Sequence, residues 1–303
     1  MTKIRRNFPG PASPATRGTR WFLVFLLLPI TLAYSTAQEN PIRVIVFCGH
    51  PDDCDSMAGG TAILFSKAGH KVKFVSLTNG DAGHQTMGGG ALAKRREAEA
   101  HEAGRRFGVE YTVIANHDGE LMPTLENRLR VIREIRNWNA DIVIAPRPEE
   151  YHPDHRYTSI LVQDASYMVI VPNIAPDTPP LQQNPVFLYS SSSAPDITID
   201  IDDVRDQKIY AQSAHESQYF EWLPWTNGQL DKVPKDKKER LEWFAKRQRD
   251  PVSDAERVDL KKWYGEEHAA KVNHAESFQF SRYGRRIGAE EIRRLFPMLN
   301  GRN

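Results

Sequence analysis

Residues 42–54 read IRVIVFCGHPDDC. The β-branched run at 42–46 reads as a buried strand, and directly after it come His50, Asp52 and Asp53. Two neighbouring carboxylates repel each other, so this crowding costs stability unless positive charge sits beside them. A metal ion meets that need, and its remaining ligands should stand elsewhere in the chain.

Downstream the pattern alternates. SMAGGTAILFSKAGH (56–70) reads as a helix closed by Gly69, and KVKFVSLT (71–78) as a second strand. GALAKRREAEAHEAGRRFG (90–108) is helical and closed by Gly108, YTVIAN (111–116) is strand-like, LENRLRVIREIRNWN (125–139) is helical, and ADIVIAPR (140–147) is strand-like. Strands separated by helices of this length imply an α/β, Rossmann-like three-layer sandwich with a mostly parallel sheet. Ligands in such sheets bind beyond the carboxyl ends of the strands. FCGHPDDC (47–54), NGDAGH (79–84), NHDGE (116–120) and PRPEEYHPDH (146–155) each follow a strand, so the four clusters should face one crevice.

Past residue 170 the signal weakens. VPNIAPDTPPLQQNP (171–185) reads as a surface loop, VFLYSS (186–191) and ITIDI (197–201) as late strands, and DVRDQKIYAQSAHESQY (203–219) as a helix. Residues 229–272 are charged and helical, with Trp243 and Trp263 read as packing anchors. Residues 38–228 are therefore expected to form the catalytic domain, and 229–303 a helical insert and C-terminal extension that completes it.

The chain has 303 residues, 40% of them hydrophobic, enough for a core without disulfide staples. Its formal charge of +1 suggests no nucleic-acid partner. The two cysteines, Cys48 and Cys54, flank the crowded stretch and supply no disulfide framework. Residues 1–20 carry five basic residues and no acid, followed by WFLVFLLLPITLAY and then STAQEN, with Ser35 and Ala37 as small residues before a cleavage point. This describes a signal peptide over 1–37, which places the protein outside the cytoplasm, periplasmic or secreted. Its removal leaves 35 basic residues against 39 acidic ones. If the uncharged stretch 21–38 stays uncleaved, it is a membrane anchor instead.

His50 and Asp53 stand three apart, and a helix starting near Pro51 would let both reach one point. His152-Pro-Asp-His155 offers two more imidazoles. One of these with His50 and Asp53 gives three protein ligands and an open position, the pattern of catalytic zinc, although other divalent metals accept the same ligand types. Asp52 is then a carboxylate left over for general-base work, and the remaining histidine suits a developing oxyanion. The competing reading makes Asp52 or Asp53 a helix cap.

The segments Gly49-His50-Pro51-Asp52-Asp53 and His152-Pro153-Asp154-His155, in this order, resemble the PIG-L/LmbE deacetylase family. The resemblance implies zinc-dependent removal of acetyl groups from N-acetylglucosamine-type sugars on a Rossmann-like fold. It implies His50, Asp53 and His155 as Zn2+ ligands, Asp52 as base, His152 as oxyanion stabiliser and Asp154 as its tuning partner. Arg96 and Glu99 match a family R-x-x-E, with Arg96 either contacting substrate or lying on a solvated helix face. Asp118 matches an Asp-Gly that contacts sugar hydroxyls, against the alternative of an ordinary turn. His215, Ser217 and Gln218 match a late H-x-S-Q element with a structural or rim role, and Asp81 and His84 have no assigned role. Cys54 stands where the family often has glutamate, Gly49 where it often has alanine, and Glu150 where some members carry a mobile tyrosine, with Tyr151 adjacent.

The expectation is an exported enzyme acting on a small-molecule or glycan substrate, with no expectation for its oligomeric state. The alternatives are an amidase of the same family acting on a larger amide, such as a sugar–thiol conjugate, and a non-catalytic metal- or sugar-binding protein. A dinucleotide site fails for want of G-x-G-x-x-G after the first strand.

Overall fold

The 42–46 run lies in β1 (Arg43–Cys48), where five of six residues are buried. In this computed structural model residues 40–190, 193–248 and 252–300 are described, together with Gly10. Apart from Gly10, the expected signal peptide or anchor falls outside these residues. Those from 40 onward belong to one compact unit. Among the described residues no helix is long and apolar enough to cross a membrane.

The alternating first half forms α1 (Asp53–Lys67), β2 (Lys71–Ser76), α2 (Gly89–Phe107), β3 (Glu110–Val113), α3 (Leu125–Trp138), β4 (Ile142–Ala145) and α4 (Pro153–Met168). The helices end where the sequence supplies left-handed residues. Gly108 takes φ +76° and its N–H closes on the Gly104 carbonyl, and Asn139 does the same service for α3 at φ +50°. At the start of α3 the Thr124 hydroxyl accepts from the Asn127 N–H.

Two late strands follow, β5 (Val186–Ser190) and β6 (Ile197–Asp200), and then α5 (Arg205–Gln212). A π-helical stretch, Ser217–Trp222, runs into the short α6 (Leu223–Thr226). The expected helical region beyond 229 contains α7 (Lys237–Arg247), α8 (Asp254–Tyr264) and α9 (Glu266–Lys271). Trp263 is buried there, and Trp243 packs beside a cluster of Ile209, Tyr219, Phe220 and Phe244. The chain then enters β7 (Ala275–Gly284) and α10 (Ala289–Leu295).

The sheet order is β3-β2-β1-β4-β5-β7-β6. The first five strands pair in parallel, while β7 lies antiparallel between β5 and β6. Strand β7 was not expected, because AESFQFSRYG has polar residues throughout and no β-branched ones. Alternation along β1 divides the core into two. Val44, Val46 and Cys48 join Phe65, Phe107 and Trp263 on one face, and Ile45 and Phe47 join Val131, Ile135 and Leu161 on the other. The sandwich therefore has helices on both faces. Cys48 pairs with Ser76, which pairs with Val113, so the strands end together and their following loops share one edge.

Candidate active site

The loop after β1 is tied at both ends. Cys48, the last residue of β1, is disulfide-bonded to Cys54 in the first turn of α1, and both are fully buried. Gly49, His50, Pro51, Asp52 and Asp53 lie between them. The helix begins at Asp53 rather than near Pro51, so His50 and Asp53 meet across a turn instead of along a helix face. The Asp52 N–H donates to the His50 carbonyl at 2.8 Å, and the His50 N–H donates to Asp53 Oδ2 at 2.7 Å. Asp52 sits at the N-cap position without a side-chain cap bond, so the capping alternative does not hold for it. Gly49 allows close approach, since a Cβ there would come within 2.7 Å of His155 Cδ2.

Three ligand atoms converge. His50 Nδ1 and His155 Nε2 each lie 3.1 Å from Asp53 Oδ2, and 3.2 Å from each other. Tetrahedral zinc, with bonds of ~2.0–2.1 Å, needs ligand atoms ~3.3 Å apart, so the triangle fits such an ion. Proton bookkeeping points the same way. His50 Nε2 is held by carboxylates, Asp118 Oδ1 at 3.0 Å and Asp154 Oδ2 at 3.2 Å, which keep a proton there, so a metal ion displacing the proton shared between Nδ1 and Asp53 would find the Nδ1 lone pair facing it. Burial acts to lower the His50 pKa, but Asp53, Asp118 and Asp154 outweigh it and hold the ring well above its ordinary value. Burial likewise acts to raise Asp53, and His50 and His155 bring it well below the usual carboxylate range. The cluster attracts a cation. A wider donor set surrounds it, as His152 offers a ring nitrogen to a group with His50 and His155 and to a second group with His50, Asp118 and Asp154, the ligand atoms of each group lying within 4.8 Å of one another.

Asp154 serves a different histidine from the one implied by the resemblance. Its carboxylate sits on His50 Nε2, accepts the N–H groups of Gly119 and Leu121 at 2.7 and 3.2 Å, and lies 4.0 Å from His152 Nδ1. Its link to His152 is through the backbone. His152 caps α4, its Nδ1 accepting the Asp154 N–H at 3.2 Å, which leaves Nε2 as the protonated nitrogen of the neutral ring. Burial, then the neighbouring His50, lowers the His152 pKa and favours that neutral form.

Arg96 is 2% exposed, so its solvated-face alternative is overturned. From α2 it donates Nη2 to Asp52 Oδ1 at 2.6 Å and Nη1 to the Gly80 carbonyl at 3.1 Å, with Asp118 Oδ2 3.7 Å away. Burial raises the Asp52 pKa and Arg96 opposes it. Asp118 reaches inward between His50 and Arg96, more than an exposed Asp-Gly turn would require. His50, Asp52, Asp53, Arg96, Asp118 and His152 line a cavity of about 470 Å³.

The surrounding wall explains the late motif. Ser217 donates to Glu99 at 2.6 Å, Gln218 donates to the Gly83 carbonyl at 3.0 Å, and Glu221 accepts from Arg95 at 2.5 and 2.9 Å beside His84 at 2.8 Å. Asp81 accepts the Asp118 N–H at 3.0 Å and contacts His117. His215 lies beneath the floor, its Nε2 2.7 Å from Asp55 Oδ2, both fully buried. Sequence reasoning missed Trp222 and Leu223 in the cavity wall and the Asp55 partner. Spacing carries no sign of them, because their role depends on the π-helical turn and on contacts across the fold.

A family model described as PIG-L, GlcNAc-PI de-N-acetylase, matches residues 45–166. Diacetylchitobiose deacetylase of Thermococcus kodakarensis is 33% identical over 197 residues, covering 60% of this chain and 73% of that one. A probable N-acetyl-alpha-D-glucosaminyl L-malate deacetylase of Bacillus cereus is 27% identical, covering 62% and 89%. Among solved structures, N,N'-diacetylchitobiose deacetylase from Pyrococcus horikoshii with a bound inhibitor superposes with a TM-score of 0.60 at 26% identity, covering 78% of this chain and 83% of that one. With its two histidine–aspartate segments brought to one strand edge, the chain belongs to the PIG-L family of deacetylases.

Proposed function

We propose that the protein is a zinc-dependent deacetylase that hydrolyses the N-acetyl group of a GlcNAc-type amino-sugar conjugate outside the cytoplasm. The observation that carries this reading is the triangle of His50, Asp53 and His155 with Asp52 beside it, held by Arg96 and not by the ligands. When bound, the ion would lower the pKa of a water toward neutrality and polarise the amide carbonyl.

The protein's own groups supply the rest. Arg96 engages Asp52 Oδ1, which leaves Oδ2 to take a proton from the attacking water. As the water oxygen bonds to the acyl carbon, the Nε2–H of His152 donates to the oxygen that gains charge. The C–N bond then breaks, the amine takes the proton from Asp52, and acetate leaves. Asp118, in the cavity wall, offers a carboxylate to the sugar hydroxyls.

Export is supported by the basic, apolar and small-residue order of residues 1–37 and by the buried disulfide, a bond typical of oxidising compartments. N-terminal sequencing of the protein from its native cell tests this, with Gln38 expected first.

The test of the reaction is metal content together with acetate and amine release from a panel of N-acetylated amino sugars. About one zinc per chain is expected. Asp52→Asn should keep the metal and lose about 100-fold or more in turnover, whereas His155→Ala should lose the metal. Full turnover by Asp52→Asn would remove Asp52 as the base.

A further inference from the structure

Helix α1 is broken directly after the turn that carries Asp53. Ala58 takes φ −143° and ψ 17°, about 80° from a helical φ. The sequence is weak at this point, since Gly59 and Gly60 are poor helix formers. Their missing side chains leave room for neighbours. A Cβ on Gly59 would come within 2.8 Å of Phe107, and one on Gly60 within 2.7 Å of Ile201.

In an unbroken helix the Gly60 N–H donates to the Ser56 carbonyl, and the Thr61 N–H to that of Met57. Here side chains from other elements intervene. Glu276 of β7 accepts the Gly60 N–H on Oε1 at 2.8 Å and the Thr61 N–H on Oε2 at 2.7 Å. Lys208 of α5 donates Nζ to the Ser56 carbonyl at 3.0 Å. Lys208 and Glu276 meet each other at 2.8 Å and are 8% and 5% exposed. The carboxylate thus replaces the helix's own acceptor and the ammonium its own donor. A buried ion pair stands inside the hydrogen-bond ladder, and a side chain inserted there is an identifiable cause of a kink.

The leading turn, separated in this way, is fastened to its surroundings. Cys54 is bonded to β1, Asp55 pairs with His215, and Ser56 Oγ lies 2.9 Å from the Tyr219 hydroxyl. Asp53 stands at its head, with Oδ2 on the His50 N–H. Replacing a buried ion pair by apolar groups of similar volume is often neutral or stabilising, so stability alone gives no reason for this one. Its effect is on direction.

We propose that Lys208 and Glu276 are positioning residues for the reaction: their ion pair holds α1 open at Ala58 and so aims Asp53 at the point where His50 and His155 converge. The inference rests on the proposed zinc reading for what Asp53 binds, and on the interrupted ladder for how it is aimed. Through β7, the C-terminal part of the chain takes part in the site without touching it.

The test is the full-chain double variant Lys208→Met with Glu276→Leu, in which the Gly60 N–H and the Ser56 carbonyl are free to find each other. Zinc affinity by chelator competition should weaken about tenfold or more, the scale for a group that orients a metal ligand. The denaturant midpoint of the metal-free protein should stay near that of wild type. Wild-type zinc affinity in the double variant would overturn the proposal. So would a loss of affinity matched by an equal loss of stability, which would make the pair purely structural. Should the double variant not fold, Glu276→Gln, which can accept only one of the two N–H groups, reads the same quantities, with a smaller loss of affinity expected and none overturning the proposal. If the wild-type protein binds no zinc, the reaction reading fails, and hydrogen exchange at the His50 amide still reports on Asp53. Faster exchange in the double variant at unchanged stability would support the aiming role, and unchanged exchange would overturn it.

Discussion

Arg96 Nη2 lies 2.6 Å from Oδ1 of Asp52, and the arginine is buried behind the carboxylate it holds. Burial raises the Asp52 pKa and the guanidinium pulls it back. As the proposed general base, Asp52 would work only when deprotonated, so activity should fall as pH drops through its pKa. Removing the cation raises that pKa, so Arg96→Met should move the acid limb of the kcat/KM profile to higher pH by about one unit or more. Profiles recorded on zinc-loaded enzyme decide the matter, and an unmoved acid limb would detach Arg96 from the base.

Gly80 gives Arg96 its path. Its φ is +68°, and a Cβ there would run into the guanidinium. Gly80→Ala should lower stability by about 1–3 kcal/mol through backbone strain and overpacking. It should also displace Arg96 from Asp52. Turnover should fall while bound zinc stays at wild-type level, a split that measuring both on the same preparation will show.

Asp154 orients His50 through Nε2 and receives two backbone N–H groups. Asp154→Asn keeps an oxygen acceptor but removes the charge that makes the imidazole a better ligand. Zinc affinity, measured by chelator competition, should weaken about 10–100-fold. Unchanged affinity would mean that Asp118 alone suffices to hold the ring.

The Asp55–His215 pair is fully buried. Burial works against the His215 cation, but Asp55 raises its pKa above the ordinary value. His215→Leu would strand a carboxylate in the core and should cost about 3–5 kcal/mol in denaturant unfolding. Adding Asp55→Leu should recover most of that loss. A double variant as unstable as the single one would show that packing, not charge, was lost.

Most of the parallel half of the fold was legible, because β1 and β4 are rich in Val and Ile, β2 carries Val72, Phe74 and Val75, and the helices between them end on Gly69, Gly108 and Asn139. The candidate segments were legible too, since each sits in a short stretch after a strand, but spacing alone left His152 and His155 as alternatives and only the family resemblance singled out His155 as the proposed third ligand. What escaped reading depended on contacts distant in sequence. Strand β7 has only the Phe278–Phe280 pair as apolar alternation, too short to read as a ten-residue strand, and its length depends on the two neighbours that complete it. The burial of Arg96 is invisible in a helix rich in charge, where nothing marks the one guanidinium that turns inward. The service of Asp154 to His50 rather than to the adjacent His152 is a matter of side-chain direction, which spacing does not give.

The Cys48–Cys54 bond makes the catalytic loop a closed covalent ring, with two of the proposed metal ligands and the proposed base inside it. One amino-acid sequence therefore corresponds to two chemical species, a ring and an open chain that differ by two hydrogen atoms. Protein synthesised in a reducing cytosol and protein matured in an oxidising compartment would therefore differ at the candidate site itself. Intact mass determined beside zinc content should show the metal travelling with the ring, and the history of a preparation then becomes part of its specific activity.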